Sequence, residues 1–337
     1  MREELLNDWL PRSKETGSGA STKVLLAEAY ARQWKYAEAL RELQAALQID
    51  PHFARAHYFM AVLHLDRGDQ EEAAAACRRA LQIDAALGEA HLLLARALDE
   101  LGETAAALEA CERAVEHLGD SGSAHLLHGD LLRRLGRDDD ALVSYQAALG
   151  VNPQLALAHY RLAATWIDHG REAEAIAACQ AALRLQPQLA SARMTLGDLL
   201  LQRGEADQAL EEYRAAARLN PRLGLARYKS GQALLQQGLM PLAMIEFRAA
   251  LAAGSETAAC HHALGRIYLA ESRLPEAVES LRASVKAEPT RVAAWCDLGE
   301  TLRLQGKNDE ARAAYEAALK TDPSLTLARE RLQELRA

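Results

Sequence analysis

A glycine returns every 34 residues along most of this 337-residue chain, at Gly68, Gly102, Gly136, Gly170, Gly204, Gly238 and Gly306. Trp34 and Ser272 fill the two missing rungs. A period held without insertion or deletion means stacked copies of one supersecondary unit. Such stacks work chiefly by presenting surface, not by reaction.

Units counted from residues 20, 54, 88, 122, 156, 190, 224, 258 and 292 share a common grammar. Position 20 is alanine in all nine, from Ala39 to Ala311. Position 27 is alanine in eight and Ser284 in the other, and position 8 is always alanine or glycine. Positions 4, 7, 8 and 11 share one face of a first helix, A, and positions 20, 24, 27 and 28 share one face of a second, B. Small residues at 8, 20 and 27 let the two backbones approach, and larger ones at 7, 11, 24 and 28 fill the space between. Glycine at position 15 accepts the left-handed conformation that ends helix A. Proline at position 32, as in Pro51, Pro153, Pro187, Pro221, Pro289 and Pro323, is expected to stop helix B. Pro241 and Pro275 sit where a first-turn proline of helix B is tolerated.

This pattern over residues 20–325 resembles the tetratricopeptide repeat (TPR) family. The resemblance implies an all-α fold, a right-handed α-solenoid (superhelix) of nine antiparallel helix pairs with helix A lining a concave groove. Residues 326–337 read as a capping helix that covers the last unit with Leu327, Leu332 and Leu335. Residues 1–19 stand outside the array. Leu5, Leu6, Trp9 and Leu10 can line a short amphipathic helix ended by Pro11, and Gly17–Gly19 reads as a flexible tether.

Half of the residues are apolar, ample for a continuous core. No stretch approaches the ~18 apolar residues needed to span a bilayer, so no direct membrane insertion is expected. The N-terminus lacks a basic region followed by an apolar one, which makes the cytoplasm the default location. Cys77, Cys111 and Cys179 share position 24, and all five cysteines read as reduced, mostly structural thiols. A net charge of −8 disfavours nucleic acid. The third unit alone carries eight acidic and two basic residues, a solvated face or a dock for a basic partner segment.

Chemistry finds little footing. His57, His91, His125, His159 and His261 share position 4, but a column with one ligand per unit cannot close around a single metal ion. His64, His128 and Ser230 interrupt the core and are expected to find hydrogen-bond partners there. There is no phosphate-binding loop, nucleophile elbow or HExxH helix. No enzyme activity, cofactor or metal is expected. Two junctions without proline, residues 118–123 and 252–257, would make the blocks of units 1–3, 4–7 and 8–9 semi-independent if they act as hinges.

The family architecture implies that positions 2, 5, 9, 12 and 13 of helix A face the groove. Its apolar members are Tyr58, Leu65, Tyr160, Ile167, Met194, Leu201, Tyr228, Leu235, His262 and Leu269. Its polar zone, in the third and fourth units, holds Arg96, Asp99, Glu100, Asp130, Arg133 and Arg134. Tyrosine and methionine suit a surface that receives a peptide or an amphipathic helix. The lysine–asparagine clamp of co-chaperone TPRs and the asparagine ladder of other TPR superhelices are both missing. The expectation is a non-enzymatic scaffold or adaptor for one or more proteins. The alternatives are a self-assembling structural protein, as in TPR coats of organelles, and a regulatory subunit of a separate enzyme.

Overall fold

The computed structural model describes residues 19–222 and 224–335, which form 19 helices and no strand. The expected helix at Leu5–Pro11 lies outside the described residues. Helix α1 begins at Gly19, the last residue of the expected tether. The chain divides into two compact units, one ending at His169 and one starting at Gly170, a boundary at neither proline-free junction.

The first unit contains α1 (Gly19–Arg32), α2 (Tyr36–Ile49), α3 (Ala54–Arg67), α4 (Gln70–Ile83), α5 (Gly88–Glu100), α6 (Thr104–His117), α7 (Gly122–Arg134), α8 (Asp138–Val151) and α9 (Ala156–Asp168). The second contains α10 (Glu172–Leu185), α11 (Ala190–Gln202), α12 (Ala206–Leu219), α13 (Gly224–Gln236), α14 (Met240–Ala252), α15 (Thr257–Ala270), α16 (Leu274–Ala287), α17 (Val292–Leu304), α18 (Asn308–Thr321) and α19 (Thr326–Glu334). Odd-numbered helices up to α17 are A helices and even-numbered ones are B helices. Within each unit a B helix packs on the A helix before it, where that helix lies in the same unit, and on the A helix that follows.

The small-residue columns explain the close pairing. All nine alanines at position 20 are fully buried, as are the eight alanines at position 27. Ser284, the ninth, is also fully buried, and its Oγ donates to the Ala258 carbonyl at 2.8 Å. Position 24 is at most 2% exposed in every unit. There the side chains sort by what faces them at position 8. Alanine at 8 faces leucine or cysteine, as in Ala95 and Cys111. Glycine at 8 faces Tyr145, Tyr213, Phe247, Leu281 or Tyr315. A Cβ on Gly129, Gly197 or Gly231 would lie 2.5–2.6 Å from the facing ring. The glycines are therefore sockets for large residues.

Helix A ends as expected. The glycines at position 15 have φ between 68° and 82°. Trp34 and Ser272 adopt the same conformation, with φ of 64° and 59°. A side chain in this region costs roughly 1–2 kcal/mol, offset in part by the greater unfolded-state freedom of glycine. Ser272→Gly is expected to stabilise the protein by up to about 1 kcal/mol, read as a higher urea midpoint. A lower midpoint would contradict the backbone account.

Helix B ends where a following proline holds the residue before it extended, and four of the six such junctions add an Asx turn. It stops at position 30, two residues before the proline. The next residue is extended, at φ −137° and ψ 98° for Asp50. Its carboxylate accepts the His52 N–H at 3.0 Å. Asn152, Asn220 and Asp322 make the same Asx turn before a proline. Asp84 makes it before Ala85, and α4 still ends at the same position. Gln186 and Glu288 stop the helix before a proline without an Asx turn, and Asp84 stops it with an Asx turn and no proline.

The junctions differ from each other. At residues 118–123, Ser121 Oγ accepts the Ala124 N–H at 3.3 Å and caps α7. At residues 252–257, Gly254 and Glu256 both have positive φ, 73° and 50°. At the C-terminus, Leu332 is buried on Tyr315 and Leu302, with Leu335 packed alongside. Leu327 is 55% exposed, and Ala328 takes the buried place instead.

Candidate functional site

In the first unit consecutive A helices touch, as do α15 and α17 in the second, and positions 5, 9, 12 and 13 recur on each A helix. Those positions are unlike in the two units.

In the first unit they form a ladder of ion pairs. Asp99 on α5 is bonded to Arg134 on α7, and Arg133 on α7 to Asp168 on α9. Arg161 on α9 lies 2.9 Å from Asp130 on α7. Glu100 accepts from the Gln70 amide at 3.0 Å. Burial raises the Asp99 pKa despite Arg134, and Asp130 and Glu100 add to the rise. Arg96 is half-buried on α5. The polar zone therefore neutralises much of its own charge across adjacent pairs, and Asp99 is already committed to an arginine. Exposed pairs of this kind contribute about 0–1 kcal/mol each, so the ladder sets surface chemistry more than stability.

A second recurring network reaches this face from within the core. Tyr145 Oη donates to Asp130 at 2.8 Å, Tyr213 Oη to Asp198 at 2.6 Å, and Tyr315 Oη to Glu300 at 3.0 Å. Each acid sits at position 9 and also meets a base from the next pair or the cap. The bases are Arg161 at 2.9 Å, Lys229 at 2.8 Å and Arg331 at 3.8 Å. Burial first, then the acid beside it, raises the pKa of each tyrosine, which keeps the hydroxyl protonated and donating. The sequence signal is a tyrosine at position 24 fifteen residues after an acid at position 9, a spacing that the residue-by-residue reading missed.

The apolar columns divide between the units. Tyr58, Leu65, Tyr160 and Ile167 belong to the first. Tyr58 is only 8% exposed and packs edge-on against Phe59, so it offers little surface. Leu65 and Tyr160 are half-buried, and Ile167 is 38% exposed. In the second unit Met194, Leu201, Tyr228, Leu235, His262 and Leu269 are all half-buried on α11, α13 and α15. Met194 packs on Ala216, Ala217 and Ala226. The Tyr228 ring lies 5.7 Å from that of Phe247, and its hydroxyl accepts from Gln232 at 3.0 Å. His262 Nε2 meets Asp297 at 2.8 Å. All six side chains keep part of their surface open to solvent.

The position-4 column has a structural task. His91, His125 and His159 each direct Nε2 at the backbone carbonyl of position 32 in the preceding unit, at 3.0–3.2 Å. A carbonyl only accepts, so each Nε2 carries the proton. Arg193 and Trp295 make the same bond at 2.9 Å. These five side chains clamp one repeat to the next, whereas His57 in the same column has a buried Nδ1 without a hydrogen-bond partner. Core polar groups are likewise answered: His128 by Ser144 at 2.9 Å, and Ser230 by the Ala226 carbonyl at 2.9 Å. His64 is the exception: its Nδ1 lies 3.5 Å from Asp69, is buried and makes no hydrogen bond.

Among the described residues no group of three or more His, Cys, Asp or Glu is placed to hold a metal ion. No described helix is long and apolar enough to cross a membrane. All five cysteines are unpaired. Burial pushes the thiols of Cys77, Cys111, Cys179 and Cys260 up to about 12, far from the thiolate form that reacts.

A family model described as tetratricopeptide repeat matches residues 24–87, 126–190, 194–257 and 262–326, and a second with the same description matches 64–131. Comparison with curated proteins gave no match. Among solved structures, the chain is similar to pilF of Pseudomonas aeruginosa at TM-score 0.54 and 19% identity, over 63% of this chain and 96% of that one. It is similar to the C-terminal part of a TPR protein from Cytophaga hutchinsonii at TM-score 0.53 and 15% identity, over 82% and 99%. A third similar structure is the APC/C hetero-tetramer Cut9-Hcn1, at TM-score 0.52 and 17% identity, over 94% and 76%. At these identities the likeness is one of fold.

Proposed function

Because the chain belongs to the tetratricopeptide repeat family, whose repeats generally mediate protein–protein interaction, we propose that it is a non-enzymatic scaffold. Its ligand is a peptide or amphipathic helix of a partner protein, held on the A-helix face of the second unit. The observation that supports this reading is the run of half-buried apolar side chains Met194, Leu201, Tyr228, Leu235 and Leu269 on successive A helices. Met194 and Tyr228 are held by their neighbours on one side, which lowers the entropy lost on binding. The first unit favours polar company, since its facing charges already pair with each other.

Affinity capture with the purified chain, read by mass spectrometry, identifies the partner. Leu201→Glu combined with Leu235→Glu is expected to lower its capture at least about tenfold, because charges then sit in the desolvated centre of the contact. Far-UV circular dichroism of the variant is expected to match the natural chain. Undiminished capture by a folded variant would reject this face. Light scattering separates the alternative of self-assembly: a mass that stays monomeric as concentration rises opposes it.

A further inference from the structure

The outward face of α14 is unlike that of the B helices around it. Leu242 and Ile245 are 44% and 60% exposed, and Met240 is 37% exposed. The position held by Leu242 is acidic in six of the other eight repeats, Glu276 among them. Ile245 stands between Glu211 and Glu279, which hold the same repeat position one unit before and one unit after it. Both glutamates are exposed, and neither is in an ion pair among the described residues. The nearby bases are occupied. Arg214 lies 3.7 Å from the buried Glu246, and Arg248 donates to the Tyr268 hydroxyl at 2.7 Å. The outcome is an apolar strip with a free carboxylate on either side.

We infer that α14 and its neighbouring B helices form a second docking surface, whose occupant is a basic amphipathic helix of a partner protein. Apolar residues of that helix at i, i+3 and i+4 cover Met240, Leu242 and Ile245. Glu211 on α12 and Glu279 on α16 stand one repeat to either side of this strip, where they meet lysine or arginine on the flanks of the docked helix. The same carboxylates disfavour the two other occupants of an apolar strip. They repel an anionic membrane surface. In a face-to-face pair of copies they meet like charges.

The probe is a synthetic amphipathic helix of leucine and lysine, titrated into the full chain by fluorescence anisotropy, with a leucine–glutamate helix as control. Leu242→Glu with Ile245→Glu is expected to weaken the lysine helix at least about tenfold. Glu211→Gln with Glu279→Gln is expected to weaken it several-fold and flatten its salt dependence. The first pair adds two negative charges, so mere attraction of a cationic peptide to an acidic protein would grow instead of fall. Unchanged or tighter binding to that variant overturns the inference, as does equal binding of the glutamate helix. Self-association of the natural chain that Ile245→Glu abolishes would also overturn it, by making a second copy the occupant.

Discussion

Gly197→Ala is expected to destabilise the protein by about 1–3 kcal/mol, and to stabilise it by up to about 1 kcal/mol once Tyr213 is replaced by cysteine. In the natural background the new Cβ would stand 2.6 Å from Tyr213 Cε1 and 2.9 Å from Cδ1. The ring cannot move aside easily. It is fully buried, and its hydroxyl is held by Asp198 at 2.6 Å. In the cysteine background the obstruction is gone, and alanine is simply a better helix residue than glycine. Ala95 with Cys111 and Ala61 with Cys77 show that this pairing packs with both members fully buried. Tyr213→Cys alone is expected to cost about 3 kcal/mol or more, through the lost ring and the cavity it leaves. Urea midpoints of the four proteins in the cycle give the coupling directly. An effect of Gly197→Ala that keeps its sign in both backgrounds would contradict the socket account.

Phe247→Ala is expected to cost about 3–5 kcal/mol, whereas Ile245→Ala, two residues away on α14, is expected to stay within about 0.5 kcal/mol. Phe247 is fully buried over Gly231, which has no side chain to fill the space the ring would leave. Ile245 is 60% exposed and loses little contact on truncation. Thermal or urea unfolding reads both. A large cost for Ile245→Ala would mean that the outward face of α14 is covered within this chain, and would remove the ground for a docking surface there.

The helices were legible because they depend on single residues at fixed phase. Ala39 to Ala311 mark where backbones meet, and Gly68 to Gly306 mark where helix A turns. What the sequence hid depends on pairs. Gly197 looks like any small residue until the Tyr213 ring is seen above it. Asp99 and Arg134 are 35 residues apart and read only as members of one polar zone, but in the structure they pair with each other. Pro51 and its equivalents mark where helix B stops, but proline is not the sole signal, because Asp84 makes the same turn without one. Of the expected face, the phase placed Leu201, Leu235 and Leu269 on half-open surface. It could not show that Tyr58 tucks against Phe59.

The central claim is that this chain holds a protein partner along the A helices of its second unit. Hydrogen exchange of the full chain, alone and with the captured partner, tests it most directly. Slower exchange on binding is expected in residues 190–202, 224–236 and 257–270, with B helix α12 unchanged. Slowing confined to the first unit or to B helices, with those three segments unaffected, would contradict it.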